Sequence, residues 1–137
     1  MENSEINLAI IGSRTFNDYI YARDKILDIL ITNNYFVSKI ISGGAIGADQ
    51  IAEIFAAEFY IPVDIIKPDW NLGRNAGFLR NTTIIDKSDI IIAFWDGKSK
   101  GTLDSINKAK NSNKNIFVFK YNEEKFSENK ILNKSLF

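Results

Sequence analysis

The sequence predicts a three-layer α/β sandwich around a mostly parallel sheet of about five strands. Three observations lead there. Short apolar runs alternate along the chain with segments whose apolar residues recur at three-and-four spacing. The run DIIIAFW, from Asp89 to Trp95, is apolar throughout between polar flanks, as a strand buried on both faces must be. The stretch IISGGAIGAD, from Ile40 to Asp49, joins an apolar run to a helical pattern through a loop almost without side chains.

In chain order, Asn7 to Ile11 reads as the first strand. Asp18 to about Asn33 reads as a helix, with Ala22, Ile26, Ile29 and Leu30 on one side and Asn33-Asn34 as its stop. Val37 to Ile41 is the second strand. Ala48, Ile51, Ala52, Phe55, Ala56 and Phe59 mark a second helix. Pro62 to Ile66 is the third strand, and Lys67 to Gly73, with Pro68 and Gly73, a loop. Asn75 to about Lys87 is a third helix, Asp89 to Trp95 the fourth strand and Asp96 to Lys100 a loop. Gly101 to Lys110 is a fourth helix, and Asn115 to Phe119 a fifth strand. Helices alternating with strands make βαβ units with right-handed crossovers, a Rossmann-like order. One domain is expected over residues 1–120. Residues 121–137 mix charge with Phe126, Ile131, Leu132 and Phe137, and read as an extension or a partner contact.

Composition narrows the chemistry. The chain has 137 residues, 45% hydrophobic and 12% aromatic, which argues against disorder. No apolar run suffices to span a bilayer, and Met1 to Glu5 is polar, so neither a membrane span nor a signal peptide is expected. There is no cysteine, which excludes disulfides and thiolate metal sites and fits a cytoplasmic protein. There is no histidine, which removes the commonest general base and metal ligand. The 17 basic and 17 acidic residues cancel. Polyanion binders carry a basic excess, so a nucleic acid polymer is an unexpected partner, whereas a small phosphorylated ligand needs only a local basic spot.

Ligands of open parallel sheets bind beyond the carboxyl ends of the strands. The ends that stand out are Gly12-Ser13-Arg14, Ser42-Gly43-Gly44 continuing to Gly47 and Asp49, and Asp96 to Thr102. Gly43, Gly44 and Gly47 would let backbone N–H groups approach an anion at a helix start. Gly101-Thr102 would act likewise, with Ser99 or Thr102 capping the helix or binding phosphate. Arg14 and Arg80 suit phosphate or carboxylate recognition. Asp49 suits a ribose hydroxyl, and Trp70 or Trp95 could stack on a base. Each also has a purely structural explanation: a tight turn for the glycines, a first-turn charge for Asp49, capping for Ser99 to Thr102, an exposed ion pair for Arg80, packing for the tryptophans. Neither GxGxxG nor GxxxxGK[ST] is present, so an ordinary dehydrogenase or P-loop NTPase is not supported.

IIGSRTF, ISGGAIGAD, Asp69-Trp70, AGFLRN (Ala76 to Asn81) and FWDGKSKGT (Phe94 to Thr102) together resemble the SLOG superfamily, in particular its small stand-alone branch of unknown function. The likeness runs from about Ile10 to Lys110. Relatives in that superfamily include cytokinin-activating phosphoribohydrolases, the DNA-processing protein of natural transformation, and sensor domains of antiviral defence. The resemblance implies a pocket for a nucleotide-derived ligand, formed by Gly12, Ser13, Arg14, Ser42, Gly43, Gly44, Asp49, Arg80, Asn81, Asp96, Ser99, Gly101 and Thr102. The phosphoribohydrolases carry PGGxGTxxE. Here Ser105 stands where that Glu would be, Asp104 is one residue off, and the leading Pro-Gly-Gly is missing.

Three functions are therefore set side by side. The first is binding of a nucleotide-like ligand, ADP-ribose-like or a cyclic signal, for sensing or sequestration without turnover, in bacterial or phage defence. Closing a sequestered ligand between subunits would make it a homo-oligomer. The second is an N-glycosidase using Asp49 or Asp96, where Mg²⁺ could be held between carboxylates through water. The third is a DNA-binding accessory protein. Apart from that Mg²⁺ no cofactor is put forward, and no metal ligated directly by the protein is expected.

Overall fold

The computed structural model describes residues 4–45 and 47–121. Five strands form one parallel sheet in the order β3-β2-β1-β4-β5. The strands are β1 (Ser4–Gly12), β2 (Tyr35–Ser42), β3 (Val63–Ile65), β4 (Ile90–Trp95) and β5 (Asn115–Lys120). The helices are α1 (Tyr19–Thr32), α2 (Ala48–Glu58), α3 (Ala76–Lys87) and α4 (Lys100–Asn111). This is the Rossmann-like α/β arrangement that the alternation predicts. The 121–137 extension lies outside the described residues except for Tyr121.

The pleat of the central strands sorts the core into two layers, because successive side chains point to opposite faces. Leu8, Ile10, Ile90, Ile92 and Phe94 pack with Ala22, Ile26 and Ile29 of α1 and Ile51, Ala52 and Phe55 of α2. Ala9, Ile11, Ile91 and Ala93 pack with Ile84 and Ile85 of α3 and Ile106 and Ala109 of α4. The register Leu8↔Ile90 through Gly12↔Phe94 keeps the two strands in phase. A one-residue slip would exchange the layers, so burial on both faces holds the register. The first two crossover helices cover one face and the last two the other. The chain runs from β1 to one edge and then resumes at β4 on the other side, so the switch of strand order lies between β1 and β4.

Two local features aim that rim. Asp18 caps α1 by accepting from the Tyr21 backbone N at 3.1 Å. Phe16, in the loop after β1, stacks on Phe94 at 4.7 Å between ring centroids and meets Tyr121 edge-on at 4.9 Å. Thr15 shares a 2.7 Å hydrogen bond with the Tyr121 hydroxyl. Arg14 is thus carried on a loop pinned into the core.

Gly12 shows how little room the switch point leaves. A Cβ there would lie 2.2 Å from the Phe94 carbonyl oxygen and 2.7 Å from the Ala48 Cβ. Neither neighbour is a flexible side-chain end, so Gly12→Ala is expected to destabilise by about 1–3 kcal/mol, as overpacked cores do. Urea denaturation would show it, and an unchanged midpoint would contradict the packing described.

Candidate functional site

The loop after β3, expected to be irregular, contains a 3₁₀ turn at Trp70–Leu72. Asp69 makes it by accepting from the Asn71 backbone N at 3.1 Å. The turn holds Trp70 out from the surface with 69% of its area exposed. An aromatic so exposed is not there for packing, since it stays in water.

Two adjoining cavities open at the carboxyl ends of the strands. The outer one, about 490 Å³, is lined by Arg14, Gly43, Gly44, Ala45, Lys67, Pro68, Trp70, Arg74, Gly77, Phe78, Arg80, Asn81 and Gly101. The inner one, about 300 Å³, is lined by Ile11, Gly12, Arg14, Ala45, Asp49, Arg80, Asn81, Ile84, Ser99, Gly101, Thr102 and Ser105. Arg14, Ala45, Arg80, Asn81 and Gly101 belong to both. The outer cavity has four cationic residues and no carboxylate in its lining. The inner one is polar, with hydroxyls, an amide and one buried carboxylate.

Arg80 is the hinge between them. Its Nη1 donates to the Gly43 carbonyl at 3.0 Å, and its Nε donates to the Asn81 Oδ1 at 3.0 Å. This explains Gly43. A Cβ there would stand 2.5 Å from the Arg80 Nη1 and 3.0 Å from Asp49 Oδ2. The glycine clears space for the protein's own guanidinium, and the guanidinium in turn lines the cavities. Gly44, at φ 73°, occupies a left-handed turn in which a Cβ would also meet Ile65 at 2.7 Å. Asn81 completes the group. Its amide nitrogen donates to the Gly101 carbonyl and to Asp104 Oδ2, each at 3.3 Å.

Asp49 is buried in the first turn of α2, and its Oδ2 accepts from the Ala45 backbone N at 3.1 Å. Burial pushes its carboxyl up to about 6. The Ala45 N–H and the guanidinium groups of Arg80 and Arg14 pull the other way, and Glu53 adds to the rise. Removal from water outweighs two cations because they do not pair with the carboxylate directly. Asp49 therefore titrates at about 6 inside the inner cavity, well above an ordinary carboxylate. A carboxyl with such a shift, in a cleft beside arginines, is a functional-site candidate.

The other expected residues divide. Ser99 and Thr102 line the inner cavity and share a 3.2 Å hydrogen bond. Ser13, Ser42, Gly47 and Asp96 line neither cavity. Ser13 is tied into the β1–β4 seam, its N donating to the Phe94 carbonyl and its Oγ accepting from the Asp96 N. Ser42 accepts from Gly44 N and donates to the Asp49 carbonyl. Gly47, at φ 84°, faces the Ser13 carbonyl, which a Cβ would meet at 2.5 Å. The Asp96 carboxylate accepts from the Lys98 and Ser99 backbone N at 2.8 and 2.7 Å. It resists protonation: its burial, which would favour the neutral form, is overcome by those N–H groups and by Ser13. Trp95 donates its ring N–H to the Ser99 carbonyl at 3.1 Å and packs against the α3–α4 layer. Asp104 is held by Asn81 and by Lys108 at 2.7 Å, while Ser105 faces the inner cavity. Among the described residues no group of three or more Asp or Glu side chains gathers that would hold a metal ion.

Lys67, Arg74, Gly77 and Phe78 line the outer cavity and are additional to the residues expected from sequence. A signal for the first two existed. The carboxyl-end rule, applied to β1, β2 and β4, applies equally to β3, whose following loop carries Lys67, Trp70 and Arg74.

The fold is similar to the solved structure of DNA processing protein A from Helicobacter pylori, with a TM-score of 0.62 and 23% identity. The match covers 95% of this chain and 73% of that one, and that structure concerns the protein's single-stranded DNA binding. No protein-family model and no curated protein sequence matches the chain. The likeness establishes the fold. It also overturns the expectation that a nucleic acid polymer is an improbable partner, since a protein of this architecture binds one. Net charge is a poor guide here because binding depends on where charges stand. Here Arg14, Lys67, Arg74 and Arg80 converge on one groove, although the chain sums to zero. No helix among the described residues is long and apolar enough to cross a membrane.

Proposed function

We propose that the protein binds single-stranded nucleic acid through the outer cavity. The observation that carries this reading is the joint lining of one open groove by four cations and two exposed aromatic side chains, Trp70 and Phe78. A single strand offers both partners at every step, a phosphate for the cations and a base face for the rings. A duplex hides its base faces, so only the phosphate contacts would remain. The likeness to a single-stranded DNA-binding fold supports the same reading.

The test is fluorescence anisotropy with a labelled oligothymidylate and a duplex of equal length. The single strand should bind more tightly, and log K should fall with log salt with a slope of roughly −2 to −3, as three or four neutralised phosphates require. Trp70→Ala should weaken the single strand by about 1–3 kcal/mol, the worth of one base stack, and leave the salt slope unchanged. Equal affinity for duplex, or no binding at low salt, would defeat the reading.

The inner cavity favours a second reading, a free nucleotide-derived ligand, ADP-ribose-like or a cyclic nucleotide, held without turnover. Ser99, Thr102 and Asn81 suit sugar hydroxyls, and Asp49 stands among them. Its raised carboxyl also suits proton transfer, so N-glycosidic cleavage is the enzymatic variant. A nucleotide panel followed by mass spectrometry separates these: an intact ligand means binding, and free base plus ribose phosphate means cleavage.

A further inference from the structure

We propose that the site holds two nucleotide units at once, one in each cavity, with the phosphate that bridges them between Arg14 and Arg80. This rests on the nucleotide-binding reading and specifies its minimal ligand as a dinucleotide. Three observations carry it. First, the two cavities are distinct in character yet share a wall, and the shared wall contains both arginines. A ligand with one anion and two flanking arms fits that order, whereas a mononucleotide leaves one arm of the site empty.

Second, the arms differ as two parts of such a ligand require. The outer cavity presents Trp70 and Phe78 to a base. The inner one presents Ser99, Thr102 and Asp49 to hydroxyl groups. The volumes, about 490 and 300 Å³, each fall in the range of roughly 300–1,000 Å³ that small-molecule sites occupy.

Third, among the described residues nothing requires Gly77 and Gly101 to be glycine. Both lie in helices, where glycine is disfavoured, and neither has a positive φ. A Cβ added at either meets nothing within 4 Å among the described residues. Gly12, Gly43 and Gly47, by contrast, are closely approached by the protein's own atoms. Gly77 lines the outer cavity and Gly101 lines both. The room these two leave open is room in the cavities.

Either of two linkages presents this chemistry, a phosphodiester within a strand or a pyrophosphate joining two nucleosides. Calorimetric titration of the full chain with thymidine monophosphate, pTpT, adenosine monophosphate and diadenosine pyrophosphate tests the proposal and separates the sources. One dinucleotide is expected to bind at least tenfold more tightly than its own mononucleotide, and which one does so identifies the linkage. Gly77→Leu should remove that advantage by filling the outer cavity. Trp70→Ala should likewise shrink that advantage, here without altering the interior, since Trp70 is exposed. Equal affinity of dinucleotides and mononucleotides would overturn the two-unit site while leaving nucleotide binding intact. So would an equal loss for both in Gly77→Leu. If neither these four compounds nor an oligothymidylate binds, the nucleotide reading falls and the two-unit site with it.

Discussion

Arg80→Ala is expected to weaken nucleotide binding about a hundredfold and to destabilise the free protein as well. Both effects come from one guanidinium. It lines the two cavities and is anchored within the site by two hydrogen bonds, to Gly43 and Asn81. A charge-assisted contact of that kind is worth roughly 1.5–3 kcal/mol. Arg14, Lys67 and Arg74 are more exposed and more freely hydrated, so each should matter less. Arg80→Lys discriminates between charge and shape. Lysine keeps the charge but cannot bond Gly43 and Asn81 while presenting a second edge to a phosphate. It should recover only part of the loss. Anisotropy titrations of the three proteins decide the matter, and an Arg80→Ala variant that binds like the parent would remove Arg80 from the site.

The second large effect concerns pH. Asp49 has its carboxyl pushed up to about 6 by burial, against an ordinary value of 3.8. The folded chain therefore holds this proton more tightly than the unfolded chain. Stability is highest below the unfolded value, falls as pH rises through the window from about 4 to 6, and stays reduced above it. The deficit at pH 7 is on the order of 3 kcal/mol. Asp49→Asn removes the titration and keeps an oxygen to accept from the Ala45 N–H. It should match the parent in stability at pH 4 and exceed it at pH 7. Parallel melting curves for the two proteins from pH 4 to 8 would refute this account of Asp49. The two sites are coupled, because the Arg80 guanidinium lowers the Asp49 value. Arg80→Ala should thus cost less stability in an Asp49→Asn background than alone, a difference that a double-mutant cycle reads directly.

How far the site was legible differs from residue to residue. Arg14, Arg80, Asn81, Gly101 and Trp70 were identified from sequence and converge on the cavities. Asp49 was identified as a sugar-reading or catalytic candidate, and stands in the inner cavity with a shifted carboxyl. Lys67, Arg74 and Phe78 were missed, since a cation in a loop or an apolar residue on a helix carries no local mark of what it faces. Gly43 and Gly47 were visible as unusual but not as cleared for Arg80 and for the Ser13 carbonyl. That distinction needs the partner atom, which lies 34 to 37 residues away in the chain.

The sequence by itself determined the elements and their sidedness. Periodicity is a local property, so the alternation of strand and helix, and the burial of β4 on both faces, follow from residues within a few positions of one another. It also determined that the chemistry would gather at the carboxyl ends, because parallel βαβ units leave their free loops there. Tertiary structure alone decided which of those loops meet. The order β3-β2-β1-β4-β5 sets the loop after β3 beside α3 and α4, and so brings Trp70 and Arg74 to Arg80 and Gly101. It also decided the charge of the site. A net charge is a sum over the chain, whereas a ligand feels only the cations within about a Debye length, and folding places four of them in one groove.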